Sequence, residues 1–95
     1  MGVLLEFVLI PVSVLRYPIP DSAKILYGVI HKAAKANNGV CEMINADLAE
    51  CMGPGCSDMT ERTVQRNLVL LEKNNLIRRH WSNNRSKRVI TPEVT

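Results

Sequence analysis

The stretch that most constrains this chain is residues 60–75, TERTVQRNLVLLEKNN, followed at once by LIRRHWSNNRSKRVITP. Thr60 is an N-cap residue type, Glu61 sits in the first turn, and Val64, Leu68 and Leu71 recur at steps of four and three. That spacing predicts a helix over about 61–74 with one apolar stripe. Met59 before the cap and Val64 after it stand where a hydrophobic staple forms. Asn74 and Asn75 can end the helix through a left-handed cap. A helix this short is marginal in water unless its stripe is buried against something else. The runs LIRRHWS and KRVITP read as two strands of a hairpin with NNRS at the tip. The chain upstream must therefore supply the other half of the core.

PIPDSAKILYGVIHKAAKANNG supplies it. The spacing predicts a helix opened at Pro20 or Asp21 and closed at Asn37-Asn38-Gly39, with Ala23, Leu26, Ile30 and Ala33 along one side. VCEMIN is a brief extended link, and Asn45 is a good N-cap for ADLAECM, where Leu48 and Met52 face one way. CMGPGCSDMT is then the turn before the next helix. The N-terminal MGVLLEFVLIPVSVL lacks a basic start, carries Glu6 and is broken at Pro11, so it is neither a convincing export signal nor a membrane span. FVLIP reads as a short strand or extended arm, and VSVLRYP can make one helical turn before Pro18. There is no internal repeat. At 95 residues and 46% hydrophobic composition, a single domain with a small core is expected.

The predicted class is α+β, mainly α: three helices and a C-terminal two-stranded wing, with an extended N-terminal arm. Residues 1–20 form the arm, 21–75 the helical core and 76–91 the wing. Helix, short helix, turn, helix and hairpin is the winged helix-turn-helix order, in which the second helix of the turn pair enters the major groove. Charge agrees with a polyanion partner. Residues 1–59 hold four Lys/Arg against six Asp/Glu, whereas residues 60–95 hold eight against three.

The segments FVLIP…VL, AKILYG, NNGVCEMINADLAE, TERTVQRNLVLLEKNNLI and RVI resemble the winged-helix domain at the N-terminus of many phage and plasmid replication initiators, a domain also found in related phage-type regulators. The resemblance spans about residues 7–91. It implies that Thr60 starts the recognition helix, and that Arg62, Thr63, Gln65 and Arg66 lie where that helix meets DNA. Cys41 falls where the family often has a cysteine, behind the first helix. Two departures stand out. The turn GPGCSDMT is longer than the Gly-Val-Ser type usual in the family. Val69 and Leu70 occupy positions where polar residues are common, implying an extra contact with the arm or a second subunit.

Independently of the resemblance, positions 62, 65, 66 and 69 share one helix side. Arginine can pair with guanine edges in a fork, and glutamine with adenine. Around the wing, Arg78, Arg79, His80, Asn83, Asn84, Arg85, Ser86, Lys87 and Arg88 form a cationic and amide-rich group suited to phosphate or minor-groove contact. Such charges also protect an edge from strand-to-strand aggregation. The expected DNA-contacting set is Thr60, Arg62, Thr63, Gln65, Arg66, Arg79, Asn84, Arg85, Lys87 and Arg88, with Arg85 the foremost wing residue. Trp81 is expected in the packing rather than against a base.

Cys41, Cys51 and Cys56, with His31 or His80, lack the tight paired spacing of a structural zinc site, so no metal or cofactor is expected. A Cys51–Cys56 disulfide is the alternative, but an odd cysteine count fits a reducing, cytoplasmic setting better. No nucleophile–base pair or paired-carboxylate signature appears, and Gly53-Pro54-Gly55 is not followed by the Lys-Ser/Thr of a phosphate loop. A non-enzyme without a small-molecule substrate is expected. Its expected partner is double-stranded DNA, with a homodimer left open and no membrane. A protein-docking module without DNA binding is the alternative, with the apolar arm and Val69/Leu70 as the interface.

Overall fold

The computed structural model of the chain describes residues 10–52, 60–81 and 87–93. Four helices and one antiparallel pair of strands follow in order: α1 (Val12–Leu15), α2 (Asp21–Lys35), α3 (Asn45–Met52), α4 (Glu61–Lys73), β1 (Ile77–Trp81) and β2 (Arg88–Pro92). The class is α+β and mainly helical, as expected, but the described residues hold four helices rather than three. The additional one is the turn foreshadowed in VSVLRYP. Pro11 has φ −58°, which suits a helix entrance, and its carbonyl accepts from both Val14 and Leu15. The Lys24 ammonium then donates to the Leu15 carbonyl at 2.7 Å, tying the end of α1 to α2. The part of residues 1–20 that is described is thus helix and turn rather than extended arm. Residues 7–9 of FVLIP lie outside the described residues.

α2 follows Pro20 and closes where Asn37-Asn38-Gly39 stands. Asn38 and Gly39 have φ of 57° and 90°, and the Gly39 amide donates to the Ala34 carbonyl at 2.7 Å. At α4, Thr60 is extended and its hydroxyl accepts from the Thr63 amide at 3.2 Å, which is the expected cap. The Met59 staple and the loop 53–59 lie outside the described residues. The far end of α4 is a Schellman motif: Asn75 has φ 61°, the Leu76 amide donates to the Leu71 carbonyl, and the Asn75 amide donates to the Glu72 carbonyl.

The core is one cluster. Val64, Leu68 and Leu71 of α4 meet Ala23, Leu26 and Ile30 of α2, with Leu48 of α3, Ile77 of β1 and Ile90 of β2 closing it. Burying each large aliphatic side chain contributes about 1.5–3 kcal/mol. Asn67 interrupts the stripe and is 2% exposed, with its Nδ2 donating to Ser22 Oγ at 3.1 Å across α2 and α4.

The hairpin pairs Ile77 with Pro92, Arg79 with Ile90 and Trp81 with Arg88. A second tie holds it. The Cys41 amide donates to the Ile90 carbonyl at 2.7 Å, and the Ile90 amide returns a bond to Cys41 at 2.8 Å. This isolated bridge fastens the α2–α3 link to the outer edge of β2.

Two stability outcomes follow. Thr60→Ala is expected to cost about 1 kcal/mol in urea unfolding, with Thr60→Ser restoring most of it. Leu68→Ala is expected to cost about 2–5 kcal/mol, a large share of the total for a domain this small. If Thr60→Ala and Thr60→Ser lost equal stability, the cap would not be the cause.

Candidate nucleic-acid interface

Burial of the Val64, Leu68 and Leu71 stripe fixes the rotation of α4, and the opposite face projects outward. Glu61, Arg62, Gln65, Arg66 and Val69 are exposed, while Thr63 is half-buried. Arg62 and Arg66 carry no hydrogen bond or ion pair among the described residues. Thr60 and Thr63 are bonded locally, their hydroxyls 3.2 Å apart in addition to the cap bond. The first turns of α4 thus present two free guanidinium groups and one amide on a rigid, capped scaffold.

The hairpin residues divide by strand parity. Side chains alternate across a strand, so Arg79 and Trp81 share the face of buried Ile77, and Arg88 shares the face of buried Ile90. Arg79 consequently turns toward α4. Its Nε and one terminal nitrogen donate to Glu72 Oε1 at 3.1 and 2.7 Å, and its side chain is only 11% exposed. Its guanidinium carbon also lies 5.5 Å from the centre of the Trp81 ring. Arg88 turns toward the α2–α3 link, donating to Asn45 Oδ1 at 2.7 Å and to the Met43 carbonyl at 2.8 Å. Both arginines thus hold the hairpin onto the helices. Lys87 remains mostly exposed, 3.3 Å from Glu42. Arg78 and His80 lie on the outer face, and Arg78 reaches Glu93 at 3.7 Å. Asn84 and Arg85, with Asn83 and Ser86, lie outside the described residues.

Two residues differ from the sequence expectation. Trp81 is 50% exposed, because it ends β1 where the helices no longer cover the hairpin. Asn45 is the first residue of α3 rather than its cap, and the Leu48 amide bonds the Ile44 carbonyl one position earlier. Its carboxamide is spent elsewhere: Oδ1 accepts from Arg88 and Nδ2 donates to Gln65 Oε1 at 3.2 Å. Asn45 therefore joins the exposed face of α4 to the hairpin, a role its sequence context concealed. Buried Asn67 is a second such joint, and a polar residue three positions after Val64 on an apolar stripe is its readable signal.

Cys41 and Cys51 gather no metal-ligating cluster among the described residues. Cys41 is buried at its bridge, and Cys51 is partly buried against the core. Burial pushes both thiols up from their ordinary pKa, with Asp47 and Glu50 adding to the rise at Cys51. Such surroundings disfavour the thiolate at both positions. His31 stacks on Tyr27 with ring centres 6.0 Å apart. No group of three or more metal-ligating side chains gathers among the described residues. Cys56 lies outside them. No helix among the described residues is long and apolar enough to cross a membrane.

Comparison with protein-family profiles, with curated proteins and with solved structures finds no match to this chain.

The hydrogen bonds from Arg79 hold the Glu72 carboxyl below the ordinary glutamate range. A depressed folded-state pKa contributes stability that is present above the unfolded value and lost as pH falls through the folded one. Wild-type protein is expected to lose up to about 1 kcal/mol through that acidic window, since the pair is partly exposed. Glu72→Gln is expected to lack this part of the pH dependence in urea titrations. An unchanged acid profile in Glu72→Gln would remove the pair from the account.

Proposed function

We propose that this chain is a sequence-specific double-stranded DNA-binding module of the winged helix-turn-helix type. The observation that carries the proposal is the outer face of α4, where Arg62 and Arg66 project without partners beside Gln65 on a helix whose other side is locked in the core. The element order supports it: α3 and α4 form the turn pair, and β1 and β2 form the wing beside them. The concentration of positive charge in residues 60–95 supports it further. Arg62, Gln65 and Arg66 read base edges, Thr60 and Thr63 approach phosphates at the helix start, and Lys87 with Asn84 and Arg85 serves the backbone from the wing. Arg79 and Arg88 act from behind, as the clamps that hold the wing.

The resemblance to phage and plasmid replication initiators makes origin binding the leading biological role, with regulation of transcription second. Either role belongs to a non-enzymatic protein acting in the cytoplasm. A docking module is the other reading, favoured by exposed Val12, Leu15, Ile44 and Val69.

The deciding experiment is binding to mixed-sequence DNA across a salt series. A linear, steep fall of log affinity with log salt is expected. Absence of binding even at low salt would sink the proposal in favour of docking. Within it, Arg66→Ala is expected to cost about 1–3 kcal/mol and relax base preference. Arg85→Ala is expected to weaken all sequences alike and to flatten the salt slope by about one. Equal changes of preference in the two variants would mean that their roles are misassigned.

A further inference from the structure

Arg88, Asn45 and Gln65 come from β2, α3 and α4, and they form a directional chain of hydrogen bonds. Arg88 has only donors to offer. One of its nitrogens is anchored on the Met43 carbonyl at 2.8 Å and another reaches Asn45 at 2.7 Å. A guanidinium bonds the oxygen of a carboxamide and not its nitrogen, so Asn45 turns Oδ1 toward Arg88. Its Nδ2 then faces Gln65, where only an oxygen can accept, at 3.2 Å. The second amide is set by the first. Gln65 is exposed, with Oε1 committed to Asn45 and Nε2 left as the unpartnered end.

We infer that Arg88 and Asn45 are positioning residues that lock the Gln65 carboxamide donor-outward, so that this point of the α4 face selects a base edge bearing acceptors. The identity of the ligand rests on the DNA-binding reading above; the orientation of the amide does not. In the major groove guanine offers two acceptors, O6 and N7, whereas cytosine offers an amine donor, and adenine carries an amine beside one acceptor. A free glutamine swaps its ends at little cost and reads adenine as readily as guanine. A glutamine tethered through its oxygen favours guanine. Arg88 thus influences sequence preference from behind the interface, without approaching a base.

Asn45→Asp tests the direction of the chain. The new carboxylate is acceptor-only. It keeps the bond from Arg88 and takes its second bond from Gln65 Nε2, which turns Oε1 outward. Selection from a random DNA pool is expected to yield guanine at the position that Gln65→Ala relaxes in the wild type. Asn45→Ala is expected to relax the same position. Asn45→Asp is expected to move it toward cytosine or adenine by roughly tenfold, the scale of a good base-edge contact. Retention of the guanine preference in Asn45→Asp overturns the inference, as does a position that Asn45→Ala leaves unchanged.

A second measurement needs no DNA. In the free wild-type protein, the side-chain amide protons of Asn45 are expected to exchange more slowly than those of Gln65, and in Asn45→Asp those of Gln65 become the protected pair. Slow exchange at Gln65 in the wild type overturns the inference whatever the DNA result. The expected exchange pattern in a protein that binds no DNA supports the oriented amide while sinking the DNA-binding reading.

Discussion

Burial of the α4 stripe is the interaction on which the rest depends. Val64, Leu68 and Leu71 are fully buried against α2, α3 and the hairpin. A helix has one rotational freedom about its axis, and burying a single stripe removes it. The same contact that stabilises the domain therefore decides that Arg62, Gln65 and Arg66 project outward. The Thr60 cap and the Schellman motif at Asn75 fix where that outward face begins and ends. Stability and the presentation of the candidate site are two consequences of one packing event.

The hairpin depends on a different constraint. Its two strands alone would be marginal in water. Ile77 and Ile90 supply apolar anchorage, and the paired backbone bonds between Cys41 and Ile90 add a third edge. Arg79 and Arg88 then spend their charge on Glu72, Asn45 and the Met43 carbonyl. These contacts tie the hairpin to α4 on one side and to the α2–α3 link on the other. Arg62 and Arg66 of α4 keep no partner among the described residues, whereas Arg78 and Lys87 of the hairpin each face a glutamate.

Much of the fold was legible from local chemistry. The α4 cap and stop, the closure of α2 at Asn37-Asn38-Gly39 and the two strands all follow from short-range preferences and period. Those signals need only neighbours in the chain. The extra helix α1 was visible as a single turn at VSVLRYP, yet its weight in the core comes from Val14, which packs against distant residues. Even the inward turn of Arg79 was implicit, since it shares parity with Ile77.

The sequence by itself determined which segments are helix or strand, where they stop, and which α4 residues face away from the core, because these depend on residue type at spacings of a few positions. Only the tertiary structure decided which polar groups are free and which are spent. Asn45 stands 20 positions from Gln65 and 43 from Arg88, and Arg79 lies seven from Glu72. A hydrogen bond forms where atoms come within about 3 Å in the right direction. No local pattern carries that information. It arises when the Cys41–Ile90 bridge and the buried α4 stripe together bring the start of α3, the face of α4 and the start of β2 to one place.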